Sequence, residues 1–145
     1  MSDEIFTPKW IFDKLNVDFD LDVASSHNPF VQVRAKKFYT IDDDSLNQDW
    51  VGKVWMNPPF SKVTPWIEKW LNHNNGICLV PLSSNGRWVN TLWESQAVIT
   101  YLPANMPFIG GQDGVMINHR WRCALWALGS ENIEALKNSG IGKVR

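Results

Sequence analysis

A four-residue motif, Asn57-Pro58-Pro59-Phe60, contains the residue types best suited to chemistry. Asn57 and Pro58 each precede a proline, which biases both towards extended backbone and makes the segment stiff before any ligand binds. The Asn57 side-chain oxygen and the Pro58 carbonyl can then accept hydrogen bonds from one planar amino group, while Phe60 offers a ring face. The motif therefore predicts a site that activates a planar amine by orientation and electrostatics.

An exocyclic base amine is the kind of group that such a site would serve. Its lone pair is delocalised into the ring, so the amine is a poor nucleophile. Two acceptors that hold its hydrogens favour a more tetrahedral nitrogen and free the lone pair for attack. No titrating general base is needed, because the alkylated amine loses its proton readily afterwards. The plainer interpretation of Asn-Pro-Pro at a strand end is a turn, since Asn and Pro are common turn residues.

The elements that must position the motif alternate between strands and helices. A helix is predicted over about 8–16, and a strand that starts at Phe19 and stops at Asp22 or Val23. Further strands are predicted over 37–40, 51–56, 77–82, 97–102 and 123–128, further helices over 65–71, 87–95 and 130–136, and polar connections over 42–46 and 103–122. This alternation indicates an α/β fold with a mostly parallel sheet, in which the two late strands pair as an antiparallel edge. Ligands bind at the carboxyl ends of strands in such sheets, where Asp22 and Asn57 fall.

The composition favours a single globular domain over residues 1–145. The chain has 145 residues and is 44% hydrophobic, which is enough for a core without disulfides. No apolar run is long enough to span a membrane and the start has no signal sequence, which predicts a cytoplasmic location. The two cysteines lie in apolar runs and only three histidines are present, so no metal site is expected.

The net charge of −1 hides an asymmetry between the two halves of the chain. Residues 1–50 carry five Lys/Arg and ten Asp/Glu, whereas residues 51–145 carry nine and five. The acidic half suits a cationic ligand and the basic half suits nucleic acid, with weak and salt-sensitive binding. Most of the nine tryptophans are expected in the core, and Trp10, Trp88 and Trp121 are candidates for ligand contact.

Several segments occur in an order that resembles a known family. They are Thr7-Pro8-Lys9-Trp10 with Ile11-Phe12, Leu21-Asp22-Val23-Ala24-Ser25, Phe38-Tyr39-Thr40 with Asp43-Asp44-Ser45-Leu46 and Gln48-Asp49-Trp50, Val54-Trp55-Met56-Asn57-Pro58-Pro59-Phe60, Trp66-Ile67 and Leu79-Val80-Pro81-Leu82. Over about residues 5–102 the chain resembles the short, phage-encoded DNA N6-adenine methyltransferases, which use S-adenosylmethionine.

The resemblance implies a minimal class I methyltransferase fold, with a Rossmann-like sheet, and an enzyme that methylates the N6 amine of adenine in DNA. Asn57, Pro58, Pro59 and Phe60 would be catalytic. The target base must leave the duplex stack, so base flipping or a single-stranded substrate is implied. The implied cofactor-binding residues are Thr7 and Pro8 near the methionine end, Asp22, Val23 and Ala24 along the cofactor, Asp44 and Leu46 at its adenine, Asp42 or Asp43 at its ribose, and Trp10 as a cover.

The basic half also holds the residues expected to contact nucleic acid. Phosphate contact and base stacking are expected for Lys62, Arg87, Trp88, Arg120, Trp121 and Arg122. A surface cation beside a core tryptophan explains the arginines and tryptophans of this set equally well. Compared with the family, no separate target-recognition domain is expected, and segment 103–122 would be a miniature recognition loop. A homodimer or a partner protein that supplies further DNA contacts stays open.

Two other functions fit the same residues. The first is the same chemistry on another planar amine, namely an RNA adenine, a cytosine N4 or a protein glutamine, because the motif recognises an amine rather than a particular ring. The second is a catalytically inactive module that binds nucleic acid or another flat ligand. Its affinity would not depend on Asn57.

Overall fold

The structure, a computed structural model, describes residues 5–82, 87–111, 113–118 and 122–145. The strands are β1 (Ile5–Phe6), β2 (Phe19–Asp22), β3 (Ala35–Phe38), β4 (Val54–Met56), β5 (Gly76–Pro81), β6 (Val98–Tyr101), β7 (Pro107–Gly110), β8 (Met116–Asn118) and β9 (Cys123–Leu128). The α-helices are α1 (Lys9–Leu15), α2 (Thr64–His73), α3 (Arg87–Trp93) and α4 (Ser130–Asn138). Within these described ranges, no helix combines the length and the apolarity needed to cross a bilayer.

The larger of two sheets has the strand order β3-β2-β4-β5-β9-β6. Strands β3, β2, β4 and β5 pair in parallel, and β9 runs antiparallel to its neighbours β5 and β6. The predicted α/β class, with a mostly parallel sheet and an antiparallel pair of late strands, is therefore confirmed. Of that pair only β6 is an outer strand, because β9 lies between β5 and β6.

A crevice forms where the chain reverses its progress across this sheet. From β2 the chain moves outwards to β3 and then returns to β4 on the other side of β2. In open α/β sheets such a reversal places a ligand site at the carboxyl ends of the two strands. Asp22, the last residue of β2, pairs with Trp55 of β4. Asn57 lies only two residues after Trp55 and is therefore close to the end of β2.

The helices begin and end at residues whose backbone preferences suit those positions. Pro8 is the N-cap of α1, and Asn16 ends that helix in the left-handed conformation at φ 51°. Pro65 lies in the first turn of α2, and Asn74 ends it at φ 62°. Asparagine adopts this backbone region more readily than most residues. The predicted helices are confirmed, with ends shifted by at most two residues.

Two apolar clusters hold the larger sheet, one on each face, because neighbouring residues of a strand point to opposite sides. On one face the buried Trp55 ring packs edge-on against Phe12 at 4.8 Å and lies 5.7 Å from Phe19. On the other face Trp70 and Trp126 are fully buried. The expectation that most tryptophans serve the core is confirmed for these three.

Three strands lie where the sequence indicates none. Strands β1, β7 and β8 form a second sheet in the order β1-β7-β8, so segment 103–122 is partly a hairpin rather than a loop. β1 has only two residues and β7 begins with a proline, so neither shows the alternation by which strands are recognised.

Smaller differences affect the connections near the crevice. The polar connection 42–46 contains the 3₁₀ turns Ile41–Asp43 and Ser45–Asn47 rather than irregular loop. β3 starts two residues earlier than predicted, and β4 starts three residues later because Gly52 turns the chain at φ +77°.

Replacement of Gly52 tests how tightly the start of β4 is positioned. A side chain at Gly52 would collide with the Asp20 carboxylate, which accepts a hydrogen bond from the Lys53 N–H at 2.8 Å. We expect Gly52→Ala to lower the free energy of unfolding by about 2 to 4 kcal/mol, because a clash adds to the strain of positive φ. Denaturant unfolding measures the loss.

The matched control is Gly140→Ala. Gly140 has a similar φ of +72°, and no described atom lies within 4 Å of the added Cβ. It should cost only about 1 kcal/mol, the strain of the backbone alone. Equal losses for the two variants would show that Asp20 does not hold the start of β4.

Candidate active site

A cavity opens at the carboxyl ends of β2 and β4. The end of β2 contributes Asp22 and Ala24, the end of β4 contributes Asn57, and the junction of β1 and α1 contributes Thr7. Segment 31–33, between β2 and β3, forms another part of the lining. The structure therefore brings together four of the predicted site residues from three separate motifs.

The Asn57 amide is hydrogen-bonded on one side only. Its Nδ2 donates to the Thr7 hydroxyl oxygen at 3.3 Å. Its Oδ1 is buried and has no hydrogen-bond partner among the described residues. An unpaired buried acceptor costs roughly 1 to 3 kcal/mol, which an N–H group of a ligand would offset. This amide oxygen is therefore suited to accept a hydrogen bond from an amine.

The rest of the motif fixes Asn57 at the end of β4. Pro58 is buried, while Phe60 is half-buried and packs against the core. The Lys62 N–H donates to the Pro59 carbonyl at 3.0 Å and closes a turn directly after the prolines. The segment thus leaves the sheet in a stiff turn, because each proline restricts the residue before it.

Asp22 is a carboxyl group with only 2% of its surface exposed. Burial raises its pKa from the ordinary value of 3.8 to about 7, and the hydrogen bond from the Ala24 N–H at 3.2 Å offsets only part of that rise. No Lys, Arg or His of the described residues forms an ion pair with it. A cationic ligand in the cavity would stabilise its ionised form.

The acidic loop, residues 41–47, follows β3 beside the cavity. Its three aspartates are exposed, and each has one carboxylate oxygen engaged within the loop or next to it. The contacts are Asp42 Oδ2 to His27 Nε2 at 3.0 Å, Thr40 N–H to Asp43 Oδ2 at 2.7 Å, and Asn47 Nδ2 to Asp44 Oδ2 at 2.7 Å. The loop is therefore ordered by its own side chains.

Helix α2 anchors this acidic loop through Lys69, which the sequence analysis did not single out. Lys69 Nζ donates to the Leu46 carbonyl at 3.0 Å and to the Gln48 carbonyl at 2.6 Å. It also lies 5.2 Å from the centroid of the Trp50 ring, whose Nε1 donates to Ser45. No local pattern could reveal these contacts, because Lys69 is more than twenty positions from the two carbonyls.

Other predicted cofactor residues lie outside the cavity lining. Pro8 caps α1, and Trp10 on that helix is 36% exposed. The Val23 side chain is fully buried in the core. The structure does not bring Pro8, Trp10, Val23, Asp43, Asp44 or Leu46 into the lining.

Three predicted nucleic-acid contacts are exposed at the same edge of the larger sheet. Lys62 follows the motif after β4, and Arg87 begins α3, which follows β5. Arg122 directly precedes β9, whose first residue Cys123 pairs with Pro81 at the end of β5. These cations therefore lie on the crevice side of the sheet.

Two of the predicted contacts also have structural partners. Arg122 Nε donates to the Leu102 carbonyl at 3.0 Å, and the guanidinium lies 5.3 Å from the Tyr101 ring centroid. Trp88 Nε1 donates to the Pro81 carbonyl at 3.3 Å. Arg120 and Trp121 fall outside the described residues.

The raised pKa of Asp22 predicts a pH dependence of stability. The folded chain keeps a proton on Asp22 up to about pH 7, whereas the unfolded chain releases it near pH 4. The free energy of unfolding therefore falls as the pH rises between these values. Asp22→Asn removes this contribution, so the gain in stability over wild type should be larger at pH 8 than at pH 4 by roughly 2 to 4 kcal/mol.

Urea titrations of both proteins at pH 4 and pH 8 measure this difference. Other titrating groups cancel, because only the change between the two proteins is compared. A gain that is the same at the two pH values would mean that Asp22 titrates normally.

Residues 1–138 match the model of one family, described as DNA N-6-adenine-methyltransferase (Dam). No curated protein matches the chain. The family match extends to the end of α4, and the mostly parallel six-stranded sheet is compatible with a methyltransferase-like fold. The resemblance seen in the sequence is thus confirmed at the level of the family, and the chain belongs to the DNA N-6-adenine-methyltransferase (Dam) family of enzymes.

Proposed function

We propose that this chain transfers the methyl group of S-adenosylmethionine to the N6 amine of a DNA adenine held at Asn57-Pro58-Pro59-Phe60. The family match supports the reaction and DNA as the substrate. The residue assignment rests on Asn57 Oδ1 at the end of β4. This oxygen is a buried acceptor without a hydrogen-bond partner in the described part of the chain. The adenine reaches it from a single strand or after rotation out of a duplex.

The crevice residues fit a cationic sulfonium cofactor. Asp22 is a buried carboxyl group without an ion-pair partner among the described side chains, and Ala24 and Ser25 are small neighbours in the lining. The N–H groups of Val23, Ala24 and Ser25 already donate to protein acceptors. Side chains rather than a cradle of backbone N–H groups therefore hold the cofactor after β2. When bound, S-adenosylmethionine supplies an electrophilic methyl group on a positively charged sulfur.

The residues of the motif act on the target amine. Asn57 Oδ1 and the Pro58 carbonyl each accept a hydrogen bond from one of its two N–H groups. These bonds favour a tetrahedral nitrogen and free the lone pair. Phe60 stacks on the adenine ring and limits its rotation. The proton that the methylated nitrogen loses passes to solvent. Orientation and electrostatics thus supply the rate enhancement without a titrating base.

DNA is proposed to lie across the crevice edge of the sheet. Lys62, Arg87 and Arg122 are exposed there, and cations at such positions contact phosphates and set the register of the duplex. In this proposal residues 1–145 act as one catalytic unit that both holds DNA and methylates it. So few cations predict weak binding, which a second copy of the chain or a partner protein could strengthen.

Asn57→Ala tests the assignment of the acceptor. We expect methyl transfer to unmethylated genomic DNA to fall by roughly 100-fold or more, because an acceptor that acts in the transition state is lost. Affinity for S-adenosylmethionine should stay within about twofold. Mass analysis of digested DNA measures N6-methyladenine and would also reveal N4-methylcytosine, while calorimetry measures cofactor affinity.

Asn72→Ala is the matched control, because Asn72 is an exposed asparagine on α2 away from the cavity lining. It should leave both quantities unchanged. Full activity of Asn57→Ala would refute the role of Asn57. Wild-type protein that binds DNA but transfers no methyl group would favour the inactive binding module.

Salt dependence tests the DNA surface. Lys62→Ala and Arg87→Ala should each weaken DNA binding and reduce the slope of log K against log salt by about one. Lys14→Ala is the control, because exposed Lys14 lies near the end of α1, which leads to the opposite end of β2. Fluorescence anisotropy at several salt concentrations gives the slopes. Slopes that do not differ among the three variants would place DNA elsewhere.

A further inference from the structure

We propose that Thr7 is a positioning residue, whose hydroxyl holds the Asn57 amide in the orientation that turns Oδ1 towards the target amine. This inference rests on the proposed function of Asn57. It also gives the Thr7 side chain a different task from the one that the family resemblance implies, which is contact with the methionine end of the cofactor.

The contact joins buried Thr7 to half-buried Asn57 across fifty positions of the chain. Thr7 is 3% exposed, and its Oγ1 accepts a hydrogen bond from Asn57 Nδ2 at 3.3 Å. Both residues line the same cavity. The other end of the amide, Oδ1, has no partner among the described residues. Among the described residues, the Asn57 side chain therefore has one hydrogen bond, the one with Thr7.

The orientation of this amide decides whether the site can work. The oxygen and nitrogen of an asparagine side chain have nearly the same size, so shape alone does not determine which of them faces a ligand. With Nδ2 bonded to Thr7, an acceptor is left for an amine. In the reversed orientation Nδ2 would meet the amine, and two donors would face each other. A hydroxyl can also donate, but the target amine can only donate to this amide. Only the orientation in which Thr7 accepts from Nδ2 therefore satisfies Thr7, Asn57 and the amine together.

The backbone on both sides of Thr7 holds its hydroxyl in place. On one side β1 pairs with β7, with Ile5 opposite Gly110 and Phe6 opposite Ile109. On the other side Pro8 is the extended N-cap of α1. A residue fixed between a paired strand and a proline loses little further freedom when it holds its partner, so one hydrogen bond suffices to orient the amide.

The test compares Thr7→Val, which keeps the shape but loses the acceptor, with Thr7→Ser, which keeps the hydroxyl. Methyl transfer is measured at saturating S-adenosylmethionine and unmethylated genomic DNA, and the affinities for S-adenosylmethionine and S-adenosylhomocysteine are measured by calorimetry. We expect Thr7→Val to lower kcat by roughly 10- to 100-fold, with both affinities within about twofold of wild type. Thr7→Ser should restore most of the wild-type kcat.

If the valine variant does not fold, Thr7→Ala takes its place, because alanine also lacks the hydroxyl and has a smaller side chain. A kcat of the valine or alanine variant within twofold of wild type would overturn the inference, because the amide would then be oriented without Thr7. A loss of affinity for both cofactor forms would also overturn it and would make Thr7 a cofactor ligand. An absence of transfer by wild type would instead refute the proposed function, and this inference with it.

Discussion

The adjacency of β2 and β4 is the constraint on which the rest of the site depends. Because these strands pair in parallel with Asp22 beside Trp55, their carboxyl ends meet at one edge, and the chain can place a carboxyl group and an amide in one crevice. The cavity, the acidic loop and the exposed cations all lie at or near this edge. The proposed catalytic arrangement is thus a property of strand order rather than of any single loop.

Two polar groups at this edge are kept at a cost to stability. Asp22 is buried without a cation beside it, and Asn57 Oδ1 is buried without a donor, within the residues that the structure describes. Burial of apolar surface offsets this loss of stability in a chain of 145 residues. The core includes Trp55, Trp70 and Trp126, which are fully or almost fully buried. In the proposed function the cofactor supplies the positive charge that Asp22 lacks, and the adenine supplies the donor that Asn57 Oδ1 lacks. Binding energy is then directed to the reacting atoms.

Much of this arrangement can be predicted from the sequence. Strand β9 and helix α2 have strong apolar patterns, and the strand ends at Asp22 and Asn57 are marked by small residues and prolines. The second sheet could not be predicted, because two residues in β1 give no period and β7 begins with a proline. The bond from Asn57 to Thr7 and the anchoring of the acidic loop by Lys69 join distant segments. Such contacts follow from packing, which no local pattern encodes.

The proposed function requires that Asn57 Oδ1 accept a hydrogen bond from the adenine amine. A crystal structure of the protein with S-adenosylhomocysteine and an adenine-containing oligonucleotide tests it most directly. We expect the N6 nitrogen at about 2.7 to 3.2 Å from Asn57 Oδ1, with Nδ2 still bonded to Thr7. An adenine bound elsewhere, or one whose N6 nitrogen has no contact with Asn57, would contradict it.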